Sequence, residues 1–188
     1  RRDAASTSGS RRAGCIQKGT TMDRDANTES ARGAPIDGRS DFTEAVRRAL
    51  AHALRTRARE PCLVDPDFEP WPLDDPIVLA ELAQWARLPD RRLLIIAGSF
   101  DTVPRRFARF TEWRGDWAHV VEAHVTEVEP SQIPTLLLAG EASLMLVDRL
   151  RWRGHGLEDD KEVADWREVI DVLLQRSEPG FSVNTLGL

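Results

Sequence analysis

The chain has 188 residues, 41% of them hydrophobic and 30% charged, with a formal net charge of −5. That length suits one domain with a single core, and the composition is that of a globular protein. No apolar run reaches the roughly 18 residues that a membrane-spanning helix needs, and no charged-then-apolar leader is visible, so the expected setting is cytoplasmic with no membrane partner.

Only Cys15 and Cys62 are present, which excludes a disulfide framework and zinc-type cysteine spacing. Charge is uneven along the chain. Residues 1–40 hold 8 basic and 5 acidic residues, against 18 and 26 for residues 41–188. A domain this acidic is a poor general binder of phosphate backbones, so nucleic acid is disfavoured as a partner, although local basic strips remain open.

Residues 1–40 are rich in Ser, Gly, Thr and Ala and are expected to be disordered, since they bury too little apolar surface to offset their ordering entropy. Met22 reads as the biological start, which would make the first 21 residues an over-extended gene start. Order is expected from Asp41, giving one α/β domain over 41–188. Phe42, Ala45, Val46, Ala49, Leu50, Ala53 and Leu54 share one helical face, with Asp41 and Glu44 as a start signal. Cys62-Leu63-Val64 reads as a strand stopped by Asp65-Pro66. Asp75 and Pro76 open a second helix whose inward face is Val78, Leu79, Leu82, Trp85 and Ala86.

Leu93-Leu94-Ile95-Ile96 is the chain's most apolar strand signal, read as buried on both faces. A third helix is expected from Asp101 or Thr102 to Trp113, and an alternating strand over His119 to Val125. Thr135 to Ala139 and Ala142 to Val147 form a hairpin around Gly140-Glu141, continued by a strand in which Arg149, Arg151 and Arg153 make one basic face. Asp159 to Arg176 is the closing helix, and the tail packs through Phe181 and Leu186. The resulting α-β-α-β-α-β-β-β-α order implies a mixed parallel and antiparallel sheet flanked by helices.

Leu63-Val64-Asp65-Pro66-Asp67-Phe68, the late hairpin, Trp166-Arg167 and Gln175-Arg176-Ser177-Glu178-Pro179 resemble an uncharacterised proteobacterial domain related to the phospholipase D-like fold. The resemblance covers about residues 62–188 and implies a phospholipase D-like half-domain topology. Active members carry a His-x-Lys-x-x-x-x-Asp signature near the hairpin. This sequence has no His-x-Lys: its histidines are His52, His119, His124 and His155. The resemblance therefore implies no phosphodiesterase chemistry and assigns no catalytic residue. It also implies pairing into a homodimer.

Three groups of side chains are candidate ligand contacts. Asp65 and Asp67 follow the first strand, where open α/β sheets place ligands and where paired carboxylates suit Mg²⁺ with a phosphorylated substrate. Gly98, Ser99 and Asp101 follow the central strand as a small-residue turn suited to an anion. Arg105, Arg106 and Arg109, and separately Arg149, Arg151 and Arg153, are strips suited to phosphates. Each group has an ordinary structural reading too: Asp-Pro turn chemistry, a plain turn, and solvated charged faces. The histidine spacing gives no metal site, and no cofactor is called for. The leading expectation is a non-catalytic binding or regulatory module, acting as a homodimer, on a protein partner or on an anionic small molecule. The alternatives are a Mg-dependent phosphoryl-processing enzyme using Asp65 and Asp67, and a nucleotide or nucleic-acid binder using the arginine strips.

Overall fold

The computed structural model describes residues 32–181. In chain order it comprises β1 (Pro35–Asp37), α1 (Arg39–Thr56), β2 (Cys62–Asp65), α2 (Pro76–Ala86), β3 (Leu93–Ala97), α3 (Val103–Arg106) and α4 (Ala108–Asp116). There follow β4 (Val121–Thr126), a 3-10 turn (Pro130–Gln132), β5 (Thr135–Leu138), β6 (Leu144–Asp148), β7 (Arg153–Gly156), α5 (Asp160–Gln175) and β8 (Ser177–Pro179). The strands form one mixed sheet in the order β1-β7-β6-β5-β2-β3-β4-β8. β2, β3 and β4 run parallel, and the remaining pairings are antiparallel.

The central strand has a helical layer on each side. All five residues of β3 are buried. Because side chains alternate across a strand, Leu93, Ile95 and Ala97 join the larger core beneath α1, α2 and α4, whereas Leu94 and Ile96 join a smaller one with Ile170 and Leu173 of α5. Burying each large side chain stabilises the fold by roughly 1.5–3 kcal/mol, so β3 anchors both layers.

Local sequence explains where the helices start. Asp75 caps α2 by accepting hydrogen bonds from the N–H groups of Ile77 (2.9 Å) and Val78 (3.2 Å), and Pro76 takes the first helical position, where no N–H is needed. Asp159 caps α5 through the N–H of Glu162 at 2.8 Å. The first helix differs from expectation: it begins at Arg39 behind Gly38, with no side-chain cap, and Asp41 instead accepts from the N–H of Asp37.

Other differences have equally local causes. Order reaches further back than Asp41, because Pro35–Asp37 completes the sheet edge against β7. The expected third helix is two, since Phe107 leaves helical geometry (φ −124, ψ 65) and its buried ring turns the chain. The basic strand expected over Arg149–Arg153 is a turn: β6 ends at Asp148 with an irregularity in its pairing, and β7 restarts at Arg153. Ser177–Pro179, read as the end of the closing helix and a loop, pairs antiparallel with β4 and forms that edge of the sheet. The disorder and gene-start expectations for residues 1–31, and the packing expected of Leu186, lie outside the described residues.

Gly154 holds the β6–β7 ladder in place. A Cβ there would lie 2.0 Å from the carbonyl oxygen of Met145 and 2.8 Å from the Cα of Leu146, both backbone atoms that cannot swing aside. Gly154→Ala is expected to cost about 3 kcal/mol of stability in urea unfolding, from overpacking.

Candidate functional site

The two carboxylates past β2 are knitted into the fold. Asp65 ends β2 with 0% exposure and accepts hydrogen bonds from Thr135 Oγ1 (2.5 Å), Arg149 Nη2 (2.9 Å) and the N–H groups of Asp67 (3.0 Å) and Phe68 (2.7 Å). Arg149 also reaches Asp67, at 2.5 Å. Burial pushes the Asp65 carboxyl above its ordinary 3.8, while Arg149, the Thr135 hydroxyl and the Asp67 N–H oppose that shift. The guanidinium of Arg149 bridges the two carboxylates, where a Mg²⁺ ion would have to sit. Among the described residues, no three His, Cys, Asp or Glu side chains converge as metal ligands. Asp65 and Asp67 thus act as a turn staple across β2, β5 and the β6–β7 turn.

Past β3, by contrast, the structure brings expected residues together. Gly98, Ser99, Asp101 and Arg105 line an open groove of about 640 Å³ with Phe100, Pro104, Val125 and Phe181. Its backbone is not an anion nest: the N–H groups of Gly98 and Ser99 both donate to the carbonyl of Pro66 at 3.0 Å, and that of Asp101 donates to Ser99 Oγ. Those three N–H groups are therefore already engaged.

The two arginine strips are partly spent. Arg149 serves Asp65 and Asp67, Arg151 lies 3.5 Å from Asp148, and Arg153 lies 3.2 Å from Asp37. They do not form one face, because the turn sends them in different directions. Arg106 pairs with Glu69 at 2.9 Å, which leaves Arg105 and Arg109 exposed with no ion pair among the described residues.

A stronger basic surface lies at the opposite end of the parallel strands. α1 and α2 each lead into a parallel strand, so both end at the same sheet edge. There Arg55, Arg57, Arg59, Arg87 and Arg91 gather with no carboxylate partner among the described residues. Four are exposed and Arg91 is half-buried. Arg57 closes α1 in the left-handed conformation (φ 54, ψ 42). Its carbonyl accepts from Arg91 Nη1 at 2.7 Å, the N–H of Arg92 donates to Arg59 O at 3.0 Å, and Trp85 Nε1 donates to Ala58 O at 2.7 Å. These bonds lock the α1–β2 and α2–β3 turns into one surface. Cations at helix C-termini are favourable to the helix dipole, which accounts for arginines collecting here.

Arg92 is the exception at this edge, held by Glu60 (2.6 Å) and Glu122 (2.5 Å). Its hydrogen bond pulls Glu122 from 4.5 down to about 2, against opposing burial and with help from His124. A depressed carboxylate stabilises the fold above its unfolded value and loses that contribution as it protonates. The melting temperature is therefore expected to fall as pH drops from about 4.5 to 2, and Glu122→Gln is expected to flatten that fall in a pH series of thermal melts.

The local positive charge is compatible with the acidic total because the acids collect elsewhere. Residues 158–178, in and around α5 on the other layer, carry eight carboxylates and three cations.

No protein-family model and no curated protein matches this chain. A solved structure of TrmBL2, described as an archaeal chromatin protein with a novel mode of DNA binding, is similar in fold, with a TM-score of 0.56 at 15% sequence identity. The similarity covers 79% of this chain and 54% of that one, so this chain spans about half the length of its structural neighbour. The DNA binding described for that neighbour runs against the leading expectation of a non-catalytic binding or regulatory module and against the view that nucleic acid is disfavoured; it says nothing about a phospholipase D-like relationship.

Proposed function

We propose that this domain binds nucleic acid through the arginine edge of Arg55, Arg57, Arg59, Arg87 and Arg91. The observation that carries the reading is that five guanidinium groups share one edge without a carboxylate partner among the described residues. Guanidinium is weakly hydrated and matches a phosphate with two parallel N–H donors, so such a cluster favours a polyanion over water. The DNA binding described for TrmBL2, whose fold is similar, supports the same class of partner.

The edge consists of turns and helix C-termini and presents no helix N-terminus or strand ribbon to a groove. Phosphate contacts of this kind hold a backbone without reading bases, so binding is expected to be insensitive to sequence. The phospholipase D-like half-domain topology stays part of the proposal as a reading of the fold, supported by the mixed sheet, late hairpin and closing helix.

Fluorescence anisotropy with a labelled random duplex tests the function. Arg57→Gln with Arg59→Gln and Arg91→Gln should weaken binding strongly, whereas Arg151→Gln with Arg153→Gln should leave it unchanged. Equal affinities in the two variants would refute the assignment of the edge.

A further inference from the structure

Against Phe181, one of the residues lining the groove past β3, lies an unexplained charge. Arg114, on α4, is only 8% exposed, and its Nε and Nη1 atoms are buried without a hydrogen-bond partner among the described residues. A buried guanidinium normally has a carboxylate or several carbonyls around it, because desolvating it unpaired is costly. Here its neighbour is a hydrocarbon ring: the Arg114 guanidinium carbon lies 4.8 Å from the centroid of Phe181. Phe181 in turn stacks on Phe100, with centroids 4.8 Å apart and planes 13° from parallel.

Phe181 thus fills a slot lined by Phe100, Phe110, whose ring centroid lies 6.5 Å away, and Arg114. It supplies the shape that Arg114 and Phe100 ask for, but it has no acceptor for the two orphan donors. A planar heterocycle with a polar substituent supplies both. The groove offers a phosphate one cation and one hydroxyl, since Arg105 is exposed on its wall with no ion pair among the described residues and Ser99 lies beside it, with the exposed Asp101 as the opposing charge. The cover is also under strain: Phe181 is half-buried and sits in left-handed backbone geometry (φ 52), unfavourable for a bulky residue.

We infer that the slot lined by Phe100, Phe110 and Arg114 is a nucleobase site, with Phe181 in the position of the base and acting as its competitor, and with Arg105 at the phosphate. The site lies past the C-terminal ends of the parallel strands, the opposite edge from the arginine cluster, and does not depend on the reading of that edge. A free nucleotide and a base of a single strand share this chemistry, so each is a separate arm of the test.

The full chain is titrated with adenosine monophosphate and with a short single-stranded oligonucleotide, followed by tryptophan fluorescence. Trp113, whose ring is stacked on Phe110 beside the slot, provides a signal. Phe181→Ala is expected to bind at least one of them about tenfold or more tighter than the unaltered protein, as removal of a stacked competitor should. Adding Arg114→Met to Phe181→Ala should abolish the gain. Tightening with the nucleotide marks a free-ligand pocket, and tightening with the oligonucleotide alone marks a strand contact. If Phe181→Ala does not fold, Phe181→Leu removes the plane while keeping an apolar cover, and the same gain is required of it. Unchanged affinity for both ligands, or a gain that survives Arg114→Met, overturns the site. Replacing Arg57, Arg59 and Arg91 leaves the gain intact, so failure of this site and failure of the edge are distinguishable.

Discussion

Asp65→Ala is expected to destabilise the fold by about 3–5 kcal/mol, the range for breaking a buried ion pair from one side. The substitution removes the shared acceptor of four donors: Arg149 (which keeps Asp67), the Thr135 hydroxyl and the N–H groups of Asp67 and Phe68. Losing a buried acceptor costs more than its hydrogen bonds contribute, because its partners remain desolvated. Asp65→Asn keeps a side-chain oxygen but loses the charge facing Arg149, and should fall between the two. Urea unfolding measures both. A cost below about 0.5 kcal/mol for Asp65→Ala would mean that the network is not structural, since that is the size of a neutral surface change.

The second large effect concerns the arginine edge. If each of the five guanidiniums meets a phosphate, each releases a condensed counterion and adds about 0.9 to the slope of log affinity against log salt. Replacing all five with glutamine should then lower affinity for duplex DNA by roughly two to three decades at low salt, with far less effect at high salt. The residues are turn and helix-end positions on the surface, so the protein should keep its melting temperature within a few degrees. Arg91→Gln alone has a further cost, because its Nη1 donates to the carbonyl of Arg57 and helps join the two turns.

The apolar run Leu93–Ile96, bracketed by helix-patterned segments, was enough to read a strand buried on both faces with a helical layer on each side. The α2 and α5 caps were equally legible, because Asp75-Pro76 and Asp159 are short-range signals. What the sequence hid were pairings distant along the chain. β1 and β8 are three-residue strands with no period of their own, and they exist because β7 and β4 offer them unpaired edges. Arg149 looked like one member of an alternating basic strand. It turns inward because Asp65, 84 residues earlier, is buried and requires a cation.

The arginine edge was missed although its signal was present. Arg55, Arg57 and Arg59 sit at the junction of one helix with the next strand, and Arg87 and Arg91 sit at another. Two consecutive helix-to-strand junctions feeding parallel strands must lie at the same sheet edge. Reading charge along the chain separated these residues, and reading it by topology would have joined them. The net negative charge reinforced the error, because it averages over α5 and its acidic neighbours on the other layer.

The most direct measurement is the salt dependence of duplex binding, with affinities for the unaltered protein and the five-glutamine variant plotted as log against log. Binding through the edge predicts a steep line for the unaltered protein and a variant line shallower by about 4.5, five contacts at about 0.9 each. Parallel lines, or a flat response in the unaltered protein, would show that the arginine edge does not hold a nucleic acid.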